Sequence, residues 1–380
     1  PFQSALYGLP APIIKECILG AVEAQYNAAS RLQPANAPAL KMEDCCGDGA
    51  VPQDDCLLTA RDKRAANFEQ FIYQTWGAGI AKYFAVPYNR KLWKVPLAEM
   101  ETSWLGGRVP LPDLGQIIDG ALAPSSRPVG PNARFGYPLR GGFQALMSGF
   151  LPLLKGKLET NARIIKLLPR EHIAVLADGR RYRYEQLIST MPLPVLVTML
   201  EGDVPEAVRT AAKGLRHTSV RCVNLGIGRS DLTEKHWIYY PEDTVFHRIF
   251  VQGNASPHCN PPGGCGLTCE ITYSPDVPLP VDGQALIDRC VAECIRVGII
   301  NADDEILTAN TVDIPYAYVI YDHARAANVD TVRQWLLSHD ILLAGRYSEW
   351  EYYNSDHAFL AGKKAAENVA SRLKRVEAGM

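Results

Sequence analysis

The sequence lacks the short motifs that most directly identify a phosphate or hydrolase site. Its 380 residues contain no G-x-G-x-x-G after a strand, no phosphate-binding P-loop and no G-x-S-x-G turn. Gly226 and Gly228 begin the first pattern, but Arg, Ser and Asp follow them, so we interpret this segment as a strand end. Taken alone, the chain has no cradle for a nucleotide diphosphate.

Long apolar runs, an excess of one charge and paired cysteines are missing as well. No run of eighteen apolar residues occurs, so we predict no membrane span. A formal net charge of −2 gives no reason to expect nucleic acid as a partner. The ten cysteines are scattered through a long chain, which favours reduced thiols in a cytoplasmic protein, and no C-x-x-C pair occurs among them. Cys259, Cys265 and Cys269 follow His258 at spacings that match no common zinc site, and we predict no metal.

What is present indicates a globular chain with two or three packed units, since 47% of its residues are apolar and 21% charged. Apolar spacings of three and four predict helices over 11–28, 64–84, 142–156, 284–298 and 356–376. Shorter β-rich runs bounded by turn residues predict strands over 162–168, 172–177, 180–190, 219–227, 237–240, 246–251, 267–273 and 341–344. Asp178 and Gly179 predict a hairpin turn between the second and third of these strands.

Two arginines occur in apolar or aromatic surroundings. Arg108 follows Trp104, and Arg248 lies between Phe246 and Phe250. Burying an unpaired guanidinium is costly, so each arginine needs an anionic partner. For one arginine alone, a structural carboxylate is the simpler interpretation. Two arginines together with several aromatic residues indicate a diphosphate clamp beside stacking surfaces, although each aromatic residue taken alone is more typical of a core. The aromatic residues concerned are Trp237, Tyr239, Tyr318 and Tyr352.

Near the C-terminus, an apolar strand ends at Gly345 and Arg346, shortly before the last helix. Asn354, Ser355 or Asp356 can cap that helix, whose first amide groups and positive dipole end would face the strand exit. Such a place suits a flavin ring edge or a phosphate. The alternative is an ordinary capped turn between a strand and a helix, which local physics alone favours.

Longer blocks of sequence resemble the larger, eukaryotic-type UDP-galactopyranose mutases. In chain order they are GAGIAKYFAVPYNRKLWKVP (77–96), WLGGRV (104–109), GPNARFGYP (130–138), RGG (140–142), WIYYPED (237–243), Arg248, SP (256–257) and GRYSEWEYYNSDH (345–357). These blocks follow the order of the family and extend over nearly the whole chain. The strand that ends in ISTMP (188–192) is similar to the wider superfamily of FAD-dependent amine oxidases and protoporphyrinogen oxidases.

The resemblance implies an FAD-dependent mutase. In that family the reduced flavin attacks the anomeric carbon of UDP-galactose, UDP leaves, and the sugar recloses as the furanose without net redox change. Arg108 and Arg248 would then hold the diphosphate and act in catalysis with Tyr318 and Tyr352. Residues placed by the resemblance at the nucleotide-sugar are Phe2, Gln3, Asn132, Trp237 and Tyr239. Those placed along the FAD are Thr190, Gly345, Arg346, Asn354 and Asp356.

The same resemblance implies an α/β fold. A partial Rossmann-like FAD-binding domain would be interleaved with a helical domain and an antiparallel sheet domain. The predicted segments are a helical cap over 5–128, FAD-domain segments over 129–192 and 311–380, and a sheet domain over 193–310.

Two departures from the family keep the function open. The family continues upstream of Phe2 with the Gly-rich FAD fingerprint, which has no counterpart here, so we expect this chain by itself to hold FAD weakly and to be inactive. Ala255 stands where the family has an aromatic residue near the substrate. A related FAD-dependent oxidoreductase, such as an amine oxidase or desaturase, is the main alternative, and a non-catalytic protein that binds a nucleotide-sugar or a protein partner is the third hypothesis. The sequence does not identify the sugar or decide whether the chain forms a homo-oligomer.

Overall fold

The computed structural model describes residues 2–31, 65–106, 109, 111, 113–124 and 136–377. The chain divides into two compact units, one formed by residues 1–148 and 220–314, the other by 149–219 and 315–380. The predicted cap and most of the predicted sheet domain fall in the first unit, and most of the two predicted FAD-domain segments fall in the second. The four predicted segment boundaries stay a prediction. No helix in the described ranges is long and apolar enough to cross a membrane.

The first unit begins with a helical layer. It contains α1 (Ala11–Arg31), α2 (Phe68–Ile80), a π-helical turn (Ala81–Ala85), α3 (Val86–Trp93) and α4 (Leu114–Leu122). Asn67 caps α2, since its Oδ1 accepts the amide hydrogen of Gln70 at 2.9 Å. The predicted apolar stripe of this helix is buried. The prediction of one helix over 64–84 was wrong in its bounds, because Gly77 leaves helical geometry at φ 78° and the π-helical turn follows Ile80.

Helices α1 and α2 pack with their backbones in close contact. A Cβ atom on Gly79 would lie 2.4 Å from the carbonyl oxygen of Glu16, and one on Gly20 would lie 2.8 Å from the nitrogen of Gly79. On Gly77 it would lie 2.0 Å from the oxygen of Gly20. Only hydrogen fits at these three positions, so the glycines set the distance between the two helices.

A five-stranded sheet forms most of the remainder of the first unit. Its order is β6-β7-β8-β5-β9, with β5 (His217–Ile227), β6 (Trp237–Tyr239), β7 (Arg248–Val251), β8 (Cys265–Tyr273) and β9 (Ile306–Val319). β6 with β7, and β7 with β8, are antiparallel, as predicted. The prediction missed β9, an edge strand in which polar residues and Pro315 obscure the apolar alternation; proline is tolerated at such an edge. β5 and β9 both continue into the second unit.

Alternation along these strands gives the sheet two different faces. One face packs against α9 (Gln284–Arg296) through apolar residues such as Val223, Ile249 and Leu267. Residues opposite one another in a sheet point to the same side, and the register pairs Tyr239 with Arg248 and Trp237 with Phe250. The face remote from α9 therefore carries a set of polar and aromatic residues. These are Trp237, Tyr239, Arg248, Phe250, Thr268 and Glu270.

Lys91 of α3 is tied to the loop between β6 and β7. Its Nζ donates to the carbonyl oxygens of Tyr240 and Glu242, each at 2.8 Å, and to the Oγ1 of Thr244 at 2.7 Å. Burial lowers the pKa of the Lys91 ammonium from 10.5 to about 8.

This lowered pKa predicts a pH effect on stability. Because the folded chain releases the Lys91 proton at lower pH than the unfolded chain, the lysine contributes increasing stability as pH rises from about 8 toward 10.5. Tyrosines with raised pKa oppose this trend, so the informative quantity is the difference between wild type and Lys91→Met in urea midpoint over that range. We expect this difference to grow in favour of wild type with pH. Exposed Lys82→Met is the control, and equal slopes for wild type and Lys91→Met would contradict the prediction.

The second unit combines a small antiparallel sheet with a parallel strand pair. β1 (Ile164–Leu168), β2 (Ile173–Leu176) and β3 (Arg181–Arg183) form the antiparallel sheet. The predicted turn at Asp178 and Gly179 is confirmed, with φ 86° at Gly179 and the Oδ1 of Asp178 accepting from the nitrogen of Arg180 at 3.0 Å. The single strand predicted over 180–190 was wrong: it divides into β3 and β4 (Leu187–Ser189), and β4 pairs in parallel with β10 (Ile341–Leu343).

Helices complete both units. The short helices are α5 (Gln144–Ser148), α6 (Leu193–Thr198), α7 (Glu206–Lys213) and α8 (Gln252–Ala255). The helix predicted over 142–156 was wrong, because α5 ends before Gly149 and only a 3-10 turn (Leu151–Leu153), with Pro152 in it, follows. The longer helices are α10 (Arg325–Leu337), which the sequence analysis missed, and α11 (Ser355–Glu377), which it predicted. A mixed α/β fold is therefore confirmed.

Candidate functional site

Arg248 lies on the face of the sheet that is remote from α9. Its Nε donates to the Oε2 of Glu270, the opposite residue on β8, at 2.8 Å. Its guanidinium carbon lies 4.5 Å from the centre of the Trp237 ring, and that ring stacks on Phe250 at 4.4 Å. The Arg248 side chain is 21% exposed, so the residue combines a carboxylate partner, an aromatic support and an accessible edge.

The surroundings of Glu270 determine the local charge. His247 is buried, with its Nε2 3.6 Å from the Oε2 of Glu270 and its Nδ1 3.1 Å from the Oγ1 of Thr272. Burial, reinforced by the nearby charge of Arg248, lowers the pKa of His247 well below its usual value, so the imidazole is neutral. Arg248 and Glu270 thus form a nearly neutral pair, and a bound diphosphate would need a second cation.

A row of aromatic rings runs from Tyr239 to Phe2 within the first unit. Tyr239 meets Tyr88 edge to face at 5.2 Å, Tyr88 stacks on Phe84 at 5.5 Å, and Phe84 stacks on Phe2 at 4.9 Å. Two residues predicted to face the nucleotide are therefore joined by Phe84 and Tyr88, which the sequence analysis missed as site residues. Their spacing of four on a helical segment was the available signal. Gln3, next to Phe2, is buried.

Two predicted site residues, Arg108 and Asn132, lie outside the described residues. Their roles stay predictions. Ala255 ends the short helix α8, which follows β7 directly and so lies on the chain just beyond Arg248 and Phe250.

The second unit contains its own cluster around Arg346. Nη1 donates to the carbonyl oxygen of Tyr353 at 2.8 Å and Nη2 to that of Ala317 at 2.9 Å. The guanidinium carbon lies 4.8 Å from the ring of Tyr352, 5.3 Å from that of Tyr318 and 5.8 Å from that of Tyr347. Within the described part of the chain no carboxylate pairs with Arg346, and its Nε is buried without a hydrogen-bond partner. The structure thus brings together three predicted site residues, namely Arg346, Tyr318 and Tyr352.

Other predicted cofactor residues lie at the ends of β4, β10 and α11. Gly345 has φ 89°, and no heavy atom lies within 4 Å of the position of an added Cβ. Its amide donates to the Oε2 of Glu349 at 2.9 Å. Thr190 is exposed directly after β4, and Asn354 and Asp356 are exposed at the start of α11. Open space beside a glycine backbone, together with a guanidinium that lacks an anionic partner, suits an electron-rich or anionic group.

Of the three cysteines that follow His258, Cys259 is exposed, whereas Cys265 and Cys269 belong to the core. Cys265 and Cys269 are buried on the face of the sheet that packs against α9, and the Sγ of Cys269 lies 3.6 Å from that of Cys294. Hydrogen bonding with the thiols of Cys290 and Cys294, together with burial, raises the pKa of Cys269 well above its usual value, which keeps it a thiol. Among the described residues no group of three or more His, Cys, Asp or Glu side chains could hold a metal ion.

Comparison with known proteins identifies the class. Residues 114–370, more than half of the chain, match the family model of flavin-containing amine oxidoreductases. The chain belongs to this family. A crystal structure of reduced UDP-galactopyranose mutase is similar over 98% of this chain and 74% of the other, with a TM-score of 0.81 and 26% identity.

Two further structures share the fold at low identity. A redesigned putrescine oxidase matches 96% of this chain and 77% of its own, with a TM-score of 0.59 and 15% identity. A CLA-producing fatty acid isomerase from P. acnes matches 97% and 78%, with a TM-score of 0.57 and 12% identity. Oxidases and isomerases therefore share this architecture, and the fold alone does not choose between them.

The family supports the predicted cofactor, FAD. The residues around Arg346 fit a flavin, because they offer an unpaired guanidinium nitrogen, tyrosine ring faces and an open glycine backbone.

Proposed function

We propose that this chain contributes the nucleotide-sugar site of a flavin-dependent mutase that interconverts the pyranose and furanose forms of a UDP-galactose-like substrate. The observation that carries the proposal is the position of Arg248 beside Trp237 and opposite Tyr239 on one face of the sheet, where the aromatic row begins at Tyr239. A partly exposed arginine beside a flat aromatic surface is what a nucleoside diphosphate requires, and a simple oxidase of small amines has no use for it.

In this proposal each part of the first unit has a separate task. Tyr239 and Phe2, the two ends of the aromatic row, provide flat surfaces for the uracil ring, and Arg248 holds the diphosphate. As the bond from sugar to UDP breaks, negative charge grows on the diphosphate, and a fixed guanidinium stabilises that charge without having to reorganise. Glu270 holds the guanidinium in orientation, and Arg108, the second predicted arginine, supplies the additional positive charge.

In the second unit, Arg346, Tyr318 and Tyr352 would contact the flavin and the sugar. Bound in its reduced form, the flavin would supply the nucleophile for the anomeric carbon. The protein residues orient the reactants and exclude water.

A related oxidoreductase is the second candidate, which the family match itself favours. Two near-parallel tyrosine rings, Tyr318 and Tyr352 at 6.0 Å, could in principle bind an amine cation. Arg346 already places a positive charge against both rings, however, and a second cation there would be repelled. The cluster therefore suits an anionic or neutral substrate better than an amine.

Calorimetric titration of the 380-residue chain with UDP, with and without added FAD, tests the proposal. We expect micromolar binding, equivalent to about −8 kcal/mol. Conversion of UDP-galactopyranose to the furanose is then assayed with reduced FAD on this chain extended by the Gly-rich FAD segment of the family, because the chain by itself is expected to hold FAD weakly and to be inactive. No UDP binding under either condition, together with flavin reduction by an amine, would replace the mutase with the oxidoreductase.

A further inference from the structure

Trp350 occupies a strained backbone conformation in the loop that follows β10. It is fully buried, and its φ of 56° lies in the left-handed region, which is unfavourable for a bulky residue. Such a conformation persists only where the surroundings impose it. The loop, residues 345–353, also contains Arg346 and Tyr352, so what imposes the conformation bears on the candidate site.

Arg325, the first residue of α10, forms hydrogen bonds directly with the backbone of Trp350. It is 6% exposed, and its Nε donates to the carbonyl oxygen of Trp350 at 2.9 Å, joined there by Nη2. Nη2 also pairs with the Oε1 of Glu351 at 2.5 Å. The planar guanidinium therefore binds two consecutive residues of the loop, Trp350 through its backbone carbonyl and Glu351 through its carboxylate.

Tyr321, which follows β9 shortly after Val319, contacts both Arg325 and the loop. Its ring lies 4.0 Å beneath the guanidinium of Arg325, and its hydroxyl donates to the Oε2 of Glu351. The same hydroxyl accepts the amide hydrogen of Tyr352 at 2.8 Å. Both Arg325 and Tyr321 thus act on the backbone of residues 350–352 or on Glu351, and they leave the ring of Tyr352 available to Arg346 and Tyr318.

We propose that Arg325 and Tyr321 are positioning residues that hold the 345–353 loop in its strained conformation. They thereby keep the side chains of Tyr352 and Arg346 in position to contact the flavin. The identity of the ligand in this inference rests on the proposed function. The contacts of Arg325 and Tyr321 with the loop do not depend on it. The loop is preset, so binding the cofactor does not require the loop to be ordered, which lowers the entropic cost of binding.

Tyr321→Phe removes one hydroxyl and keeps the ring beneath Arg325. Tyr182→Phe is the matched control, because it deletes a hydroxyl bonded to Glu159 on the surface of the same unit. Hydrogen exchange followed by mass spectrometry should show the amides of residues 350–352 exchanging about tenfold faster in Tyr321→Phe, as loss of one hydrogen bond of about 1.4 kcal/mol predicts. The control and the α10 amides should exchange as in wild type.

Arg325→Lys tests whether the geometry of the guanidinium, and not only its positive charge, holds the loop. Lysine keeps the positive charge beside Glu351, but it cannot place two nitrogens on one carbonyl, so exchange in 350–352 should again accelerate. Equilibrium dialysis against FAD should show Tyr321→Phe binding about tenfold more weakly than wild type, while both bind UDP equally.

Unchanged exchange at residues 350–352 in both variants would overturn the proposal, as would acceleration spread evenly through the second unit. Equal FAD affinities of wild type and Tyr321→Phe, including equal absence of binding, would overturn the positioning of the cofactor. Absence of UDP binding by the wild-type chain would instead reject the proposed function. The conclusion drawn from hydrogen exchange would not be affected.

Discussion

Gly79→Ala is expected to destabilise the first unit by about 3 kcal/mol, the upper end of what an overpacked methyl group costs. The new Cβ would lie 2.4 Å from the carbonyl oxygen of Glu16 and 2.5 Å from the backbone of Cys17. These are backbone atoms of a neighbouring helix and cannot rotate away as a flexible side chain could. Helix α1 would have to move away from α2, which would open the core beneath Phe71 and Ile72.

The urea midpoint of unfolding measures this effect. Gly106→Ala is the control, since it makes the same exchange in the same unit where no heavy atom lies within 4 Å of the new Cβ. We expect that control to stay within about 0.5 kcal/mol of wild type. Gly79 does not have a positive φ, so a loss there reports the close helix contact alone. At Gly77 a φ of 78° would add backbone strain to the clash. A Gly79→Ala chain as stable as wild type would mean that the two helices do not approach as the structure shows.

Elements with strong periodicity could be predicted from the sequence. The apolar stripe on 284–298 predicted α9, observed as Gln284–Arg296, because the helix packs one face on a sheet and leaves the other in water. α10 was missed for the opposite reason. Its buried positions Val329, Val332 and Leu336 follow helical spacing, but a charged residue, Arg325, is buried with them and apolar residues such as Trp335 also lie outside that spacing, so the two faces differ little. Arg325, the first residue of α10, was not predicted either.

The site could be predicted only in part. Arg248 and the aromatic residues were singled out, but the pairing of Arg248 with Glu270 was not, because it depends on the register of β7 and β8 across an intervening irregular segment. Phe84 and Tyr88 were interpreted as parts of a helix, and nothing local shows that their rings extend toward Phe2 and Tyr239. Contacts between residues far apart in the chain follow from tertiary packing, which spacing along the sequence does not encode.

Arg248→Ala is expected to weaken UDP binding by 2–3 kcal/mol, about 30- to 150-fold, as loss of a charge-assisted contact to a diphosphate should. Calorimetry of wild type and variant under identical salt measures it. Arg289→Ala is the matched control, because Arg289 is an exposed arginine paired with Glu293 on α9, the helix that covers the other face of the sheet. The same charge is removed from the same unit, so the control reports any general electrostatic contribution.

Glu270→Gln distinguishes a diphosphate clamp from a purely structural ion pair. Glutamine keeps an oxygen that can accept from the Nε of Arg248 but removes the negative charge beside the proposed diphosphate. If Arg248 binds the diphosphate, this variant should bind UDP several-fold more tightly, by about 1 kcal/mol, because the carboxylate no longer competes for the guanidinium. If Arg248 and Glu270 only hold β7 to β8, the affinity for UDP should be the same in both variants while stability falls. Weaker UDP binding by Arg248→Ala together with tighter UDP binding by Glu270→Gln would therefore show that the Arg248 guanidinium binds the substrate. A purely structural ion pair gives no reason for the affinity for UDP to change in opposite directions when its two members are replaced.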